Sequence, residues 1–111
     1  MGPRDELPDP LDALRDGDSG PFEAFVVEWH GRLIGFFRRL GAARSEAEDL
    51  AQDVFLKVYR STSTYQARSA FGSYVLRVAR NAWIDRRRRQ AARPGGGALD
   101  VSRDGEETRE Y

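Results

Sequence analysis

Apolar residues recur at steps of three and four positions through three stretches of the chain, and no stretch alternates apolar with polar residues. This spacing collects the apolar side chains on one face of a helix. The first predicted helix has Pro21 near its start, Gly41 just after its last apolar residue, and arginines in its last turn, where the helix dipole favours cations. Its apolar face consists of Phe22, Phe25, Val26, Trp29, Leu33, Phe36, Phe37 and Leu40.

Two more helices follow. The second is predicted to begin at Ser45, because residues 45–48 have the pattern of a capping box with Glu48 three positions after the hydroxyl. Four short hydroxyl side chains at residues 61–64 end it, and Ser69 is expected to cap the third helix. Their apolar faces are Ala47, Leu50, Ala51, Val54, Phe55 and Val58 on the second helix, and Phe71, Tyr74, Val75, Val78, Ala79 and Ala82 on the third.

These elements predict an all-α fold, a compact bundle of three to four helices over residues 11–93, in which residues 11–15 form a short helical turn. A chain of 111 residues suits a single core. Residues 1–10 contain three prolines and no periodicity, and we expect them to be disordered. Residues 94–111, which begin with one proline and three glycines and then turn acidic, are expected to form a linker or tail.

The composition removes several classes of function. The chain has no cysteine and one histidine, which argues against a disulfide scaffold, a thiolate or multi-histidine metal site, and a Ser-His-Asp catalytic set. No run of about 18 apolar residues exists, and the N-terminus lacks the pattern of a signal peptide. We therefore expect a cytoplasmic, non-enzymatic domain with no cofactor, no metal and no membrane span.

The net charge is zero, but the charges are unevenly distributed. Residues 1–20 carry a net charge of −4, residues 77–93 carry +6, and residues 94–111 carry −3. Four adjacent arginines, residues 86–89, repel one another, so a polyanionic partner is favoured over the alternative of a solvated helix end. Tyr74, Trp83 and Ile84 lie among these cations, a mixture that suits base stacking beside phosphates, although each could also belong to the core.

A second candidate surface lies on the predicted second helix. Spacings of three and four place Asp49, Gln52 and Asp53 on one side, next to the apolar face. An amide flanked by carboxylates could dock arginine-rich helices of a partner. A solvated helix face is an equally good interpretation of the spacing.

Two long segments resemble the extracytoplasmic-function (ECF, group IV) sigma factors of bacterial RNA polymerase. Residues 48–59, EDLAQDVFLKVY, look like the polymerase-binding helix of that family. Residues 69–89 resemble its promoter-melting helix, including an Arg-x-Ala-Arg-Asn-x-x-Ile-Asp core, and residues 12–22 are similar to its short opening helix and turn. The resemblance covers residues 11–92, and two long motifs in the right order make it specific.

The resemblance implies region 2 of a sigma factor. Such a domain binds the clamp helices of the polymerase β′ subunit, and it recognises and melts the −10 promoter element by capturing flipped bases of the non-template strand. The implied polymerase contacts are Asp49, Gln52, Asp53 and Leu56. The implied DNA contacts are Tyr65, Arg68, Ser69 and Phe71 in the specificity loop, Arg77, Arg80, Asn81 and Ile84 on the reading helix, and Arg86, Arg87, Arg88 and Arg89 on its basic extension.

The resemblance also implies an anti-sigma factor as a partner. The family normally continues into a second helical domain, region 4, which does not follow the Gly-rich segment here, and Gly72 and Trp83 depart from the family pattern. Two alternatives remain open. A helix-turn-helix repressor would prefer duplex DNA to single strands, and a protein-interaction adaptor would bind no DNA.

Overall fold

The computed structural model describes residues 9–66 and 70–92. They form four helices and no strand: α1, Pro10–Arg15; α2, Gly20–Arg39; α3, Arg44–Arg60; and α4, Phe71–Ala92. The all-α prediction is confirmed. Of the segments expected to be disordered, residues 1–8 and 94–111 lie outside the described residues, as does Ser69, so its capping role stays a prediction. No helix in the described ranges combines the length and apolarity needed to cross a membrane.

Helix α1 starts at Pro10, which was expected to belong to the disordered segment. Pro10 is buried, and the Asp9 carboxylate accepts a hydrogen bond of 2.8 Å from the Leu11 N–H, which caps the helix. Leu11 is fully buried in the core. The first turn of α1 is therefore both buried and capped, so residues 9 and 10 belong to the fold.

Helices α2 and α3 form a hairpin around Gly41. Gly41 has a φ of 112°, which a residue with a Cβ rarely adopts, and its N–H donates to the Arg38 carbonyl at 3.0 Å. The next N–H, from buried Ala42, donates to the Phe37 carbonyl at 3.0 Å. The predicted C-terminal signal at Gly41 is therefore confirmed.

The predicted capping box at residues 45–48 is wrong. Helix α3 begins at Arg44, and its N-cap residue is Ala43, which has extended backbone angles and no side-chain capping bond. Ala42, just before the N-cap residue, is buried. Ser45 therefore lies inside the first turn, and Glu48 pairs with Arg44 at 3.2 Å.

The core is formed by the facing sides of α2, α3 and α4, with Leu11 of α1 packed against them. On α3 all six residues of the predicted apolar face are buried. On α4 the buried face extends one residue further than predicted, to Trp83, which is 1% exposed and stacks on Phe37 at a centroid distance of 6.4 Å. Of the two alternatives that the sequence left open for Trp83, the core is the right one, and its buried ring is not available to stack on bases.

Aromatic rings hold the start of α4 against the other two helices. The centroid of the Phe25 ring lies 5.0 Å from that of Phe71 and 5.4 Å from that of Phe55, and both contacts are edge-to-face. Phe71 is 4% exposed, so the first residue of α4 is already part of the core. This cluster sets where the chain re-enters the bundle after α3.

Two leucines on α3 provide a matched test of this packing. Leu50 is 1% exposed and Leu56 is 43% exposed. We expect Leu50→Ala to lower the free energy of unfolding by about 2–5 kcal/mol, because it removes buried apolar surface and leaves a residual cavity. Leu56→Ala should change it by less than about 0.5 kcal/mol. Urea unfolding followed by circular dichroism measures both, and equal decreases would contradict the assignment of α3 faces.

Candidate functional site

The outer side of α3 carries the first candidate surface, called here the acidic face: Asp49, Gln52, Asp53 and Leu56. Asp49 and Gln52 are exposed, Asp53 is half-buried, and Leu56 projects into solvent beside them. The buried residues of the same helix press its opposite side into the core. The structure thus brings all four sequence-predicted residues onto one surface, an exposed leucine bordered by two carboxylates and an amide.

The outer side of α4 carries the second candidate surface. Arg77, Arg80 and Asn81 are exposed and Ile84 is half-buried, one or two turns further along the same side. Arg88 continues this row and is exposed. Within the described ranges no acidic side chain pairs with Arg77, Arg80 or Arg88. This side, called here the cationic side of α4, therefore presents cations without an acidic partner. It also presents an amide that can both donate and accept hydrogen bonds.

Tyr65 lies at the start of this surface and is held from several sides. Its ring is 4.4 Å from the Tyr74 ring, and its carbonyl accepts a 3.0 Å hydrogen bond from Arg15 of α1. Arg15 also donates to the Thr62 carbonyl at 2.8 Å. The Tyr74 hydroxyl donates to the Ser61 Oγ at 2.8 Å. Helices α1 and α4 together therefore position the segment that carries Tyr65.

The remaining residues of the predicted specificity loop fall into two groups. Arg68 and Ser69 lie outside the described residues. Phe71 is buried, and its ring centroid lies 6.2 Å from that of Tyr65 in edge-to-face geometry, so it supports Tyr65 from the core side. Tyr65 itself is half-buried, which leaves part of its ring accessible.

The Tyr65 phenol is neutral at physiological pH. Burial raises its pKa above the usual value of 10.0, the Asp9 carboxylate adds to the increase, and Arg77 and Arg15 oppose it. A neutral phenol keeps its ring free of charge and its hydroxyl able to donate a hydrogen bond. Both properties suit contact with a nucleobase.

The arginine run divides into two pairs with different surroundings. Arg86 contacts Asp53 at 3.4 Å and Glu46 at 3.9 Å, and Arg87 contacts Glu46 at 3.3 Å. The Arg87 guanidinium also lies 3.9 Å above the Trp83 ring. Four charged residues form what is called here the α3–α4 ion-pair network: Glu46, Asp53, Arg86 and Arg87.

The other half of the run faces outward. Arg88 and Arg89 are exposed, whereas the Arg87 side chain is 11% exposed. The sequence showed no sign of this division, because Glu46 lies about forty positions before the arginines that it binds. Glu46 itself was missed as an important residue, since its position in the first turn of α3 already had an explanation in the helix dipole.

No cluster of acidic or histidine side chains that could hold a metal ion occurs in residues 9–66 and 70–92. The one histidine, His30, is exposed on α2. The described surface carries carboxylates and an apolar side chain on α3, and cations, an amide and aromatic rings on α4 and the segment before it.

A family model and several curated proteins match this chain, and all of them are sigma factors. Residues 25–93 match the family model of Sigma-70 region 2. The RNA polymerase sigma factor CarQ of Myxococcus xanthus is 34% identical over 80 residues, which cover 72% of this chain and 46% of CarQ. The RNA polymerase sigma-H factor of Pseudomonas aeruginosa is 30% identical over 71 residues, 64% of this chain and 37% of that protein.

The ECF RNA polymerase sigma-E factor of Haemophilus influenzae is 27% identical over 84 residues, 76% of this chain and 44% of that protein. The chain thus spans less than half the length of these curated relatives. No solved structure matches the chain.

The two halves of the arginine run give a test within one helix. Arg87→Ala should lower the free energy of unfolding by about 1–3 kcal/mol, because it leaves the mostly buried Glu46 carboxylate with a weaker partner and uncovers Trp83. Arg89→Ala should change it by less than about 0.5 kcal/mol. Thermal and urea unfolding measure both variants, and equal effects would show that the ion-pair network does not hold α4 on α3.

Proposed function

The chain belongs to the Sigma-70 region 2 family, and we propose that it is the promoter-opening part of a bacterial sigma factor of the ECF type. In this role it binds core RNA polymerase through the β′ clamp helices and melts the −10 element of a promoter in the cytoplasm. The observation that carries the proposal is the pairing of two different surfaces on adjacent packed helices, the acidic face of α3 and the cationic side of α4.

The acidic face is the proposed polymerase contact. Leu56 offers an apolar contact at the C-terminal end of this face, and Asp49, Gln52 and Asp53, in the two turns before it, accept hydrogen bonds from arginine or lysine side chains. A combination of apolar and polar contacts is the usual composition of a specific protein interface. A basic, partly apolar coiled-coil surface such as the clamp helices would match it.

The proposed DNA contacts lie on α4 and the segment before it. Arg77, Arg80 and the outward arginines attract the phosphate backbone, and Asn81 and Ile84 lie between them where a base edge could be read. Tyr65 supplies a ring on which an extruded base can stack. Arg68, Ser69 and Phe71 remain proposed members of this site, Phe71 as the support beneath Tyr65.

Promoter melting in this proposal requires no bond chemistry by the chain. A surface that binds single-stranded DNA better than duplex shifts the equilibrium toward the open form by its difference in affinity. Each flipped base costs a few kcal/mol of stacking and pairing, which the contacts to the captured base offset. The domain is therefore proposed to be non-enzymatic, without a cofactor or metal.

An anti-sigma factor is the second protein partner that we propose. A protein that covers the acidic face would remove Asp49 and Leu56 from reach of polymerase. Such an inhibitor would bind in competition with core polymerase rather than together with it.

The polymerase contact is tested by the double variant Asp49→Ala with Asp53→Ala. Each charge-assisted hydrogen bond is worth about 1.5–3 kcal/mol, so affinity for core polymerase should fall about a hundredfold or more while helix content stays the same. Glu48→Ala is the matched control, because Glu48 is an exposed acid of α3 outside the acidic face that pairs with Arg44. Equal effects of the double variant and the control would refute the docking assignment.

The DNA contact is tested by separating phosphate contacts from base contacts. Arg88→Ala with Arg89→Ala should weaken binding to every single-stranded oligonucleotide alike, and should lower the salt slope by about 0.7 for each phosphate that is no longer neutralised. Tyr65→Ala should cost about 1–3 kcal/mol on a −10-like strand and much less on a scrambled strand, with an unchanged salt slope. Asn81→Ala should likewise flatten the sequence preference.

These affinities are measured by fluorescence anisotropy, with and without core polymerase. A preference of the wild-type chain for duplex DNA would favour the helix-turn-helix alternative instead. A change in sequence preference from the arginine variant, without one from the Tyr65 and Asn81 variants, would overturn the division of roles.

A further inference from the structure

A shallow cavity of about 600 Å³ lies where the end of α1 meets the end of α3. Its lining residues come from both helices and from the turn after α3: Leu14, Arg15, Tyr59, Arg60, Thr62 and Ser63. Its volume lies in the usual range for the binding site of a small ligand. These residues belong to neither the acidic face nor the cationic side of α4, so neither proposed surface accounts for the cavity.

One part of the lining suits a nucleobase. The Tyr59 side chain is 53% exposed, and its ring meets the Phe22 ring edge-to-face at a centroid distance of 5.5 Å. Phe22 thus fixes the ring while about half of the side chain faces solvent. Leu14 is half-buried and adds an apolar side chain to the lining. An aromatic ring in a fixed position offers a stacking surface to any base.

The other part of the lining suits a phosphate. Arg60 is exposed in the last turn of α3, and within the described ranges no acidic side chain pairs with it. The Ser63 hydroxyl is exposed beyond the end of the same helix. Arg15 pairs with Asp12 and donates to two backbone carbonyls, so it forms a fixed wall. Arg60 and Ser63 therefore supply the donors for an anion.

The cavity adjoins the residue that is proposed to stack on the captured base. Arg15, which lines the cavity, donates to the Tyr65 carbonyl at 3.0 Å. Ser63, also in the lining, lies two positions before Tyr65. A single strand with one base on Tyr65 therefore has a neighbouring nucleotide within reach of the cavity.

We propose that this cavity is a second nucleotide-binding site for the same strand, with a base against Tyr59 and Leu14 and a phosphate at Arg60 and Ser63. The inference rests on the proposed function, because it requires a single strand bound at Tyr65. Since a ring stacks on every base, the site adds affinity for single-stranded DNA without adding sequence preference.

The phosphate contact is tested with the full chain and a −10-like single-stranded oligonucleotide. Arg60→Gln should weaken binding and lower the salt slope by about 0.7, as expected for one phosphate that is no longer neutralised. Arg38→Gln is the matched control, because Arg38 is an exposed arginine in the last turn of α2 without an acidic partner in the described part of the chain. Equal effects of the two variants would overturn the proposal, because the loss of any surface charge would then explain the result.

The stacking contact is tested at Tyr59. Tyr59→Leu should weaken binding about fivefold or more on −10-like and scrambled strands alike, with an unchanged salt slope. Tyr59→Phe keeps the ring and should bind as the wild type does. Equal losses from the two variants would contradict stacking. Urea unfolding followed by circular dichroism verifies that both variants are folded, since Tyr59 also packs on Phe22.

A fluorescent base locates the second nucleotide directly. When 2-aminopurine replaces each base of the oligonucleotide in turn, stacking on a ring quenches its fluorescence. We expect quenching at one position to disappear in Tyr65→Ala, and quenching at a neighbouring position to disappear in Tyr59→Leu but not in Tyr59→Phe. If no position depends on Tyr59, the cavity holds no base and the proposal is wrong.

Failure of the cavity assignment is distinguishable from failure of the proposed function. If the Arg60 and Tyr59 variants bind DNA as the wild type does while Tyr65→Ala still loses affinity, only the cavity assignment fails. A loss of affinity for core polymerase in the cavity variants, with DNA binding unchanged, would overturn it in favour of a protein contact. If Tyr65→Ala and the Arg88 and Arg89 double variant also bind single strands normally, the proposed function itself fails.

Discussion

Helix α3 packs against both α2 and α4, and the rest of the structure depends on this central position. Its six buried residues lie on one broad side of the helix, where they meet both neighbours. The opposite side is left for solvent, so the residues on it are brought together by the helix itself, without any need for a rigid loop. The acidic face is thus a consequence of burying the other side of α3.

Apolar packing alone does not hold the whole of α4. Its buried face runs from Phe71 to Trp83, and the helix continues after that to Ala92. Over the next turn the ion-pair network takes over, with Arg86 and Arg87 bound to acids of α3. Half of a run that resembles a simple polyanion-binding patch therefore serves first to hold two helices together. The exposed half, Arg88 and Arg89, is the part that we propose to contact phosphates.

The segment between α3 and α4 is held by elements distant in sequence. Arg15 of α1 donates to two of its carbonyls, and Tyr74 of α4 donates to Ser61 while packing on Tyr65. A binding loop that is already positioned loses less conformational entropy when a ligand arrives. This gives the short helix α1 a role that its length would not suggest, as the support of the segment that carries Tyr65.

Much of this protein was determined by the sequence itself. Apolar residues at helical spacing specified the three long helices and nearly all of the core, and Gly41 specified the hairpin, because these signals depend on neighbours within a few positions. The grouping of Asp49, Gln52, Asp53 and Leu56 followed from the same spacing, and the order of two long motifs indicated the family.

The tertiary structure decided what depends on distant partners. Helix α3 starts at Arg44 instead of Ser45, without a side-chain cap, and Trp83 lies in the core. The first two arginines of the run are bound to acids of α3. A pairing between residues more than thirty positions apart forms only when two helices pack together. No local pattern of the sequence predicts it.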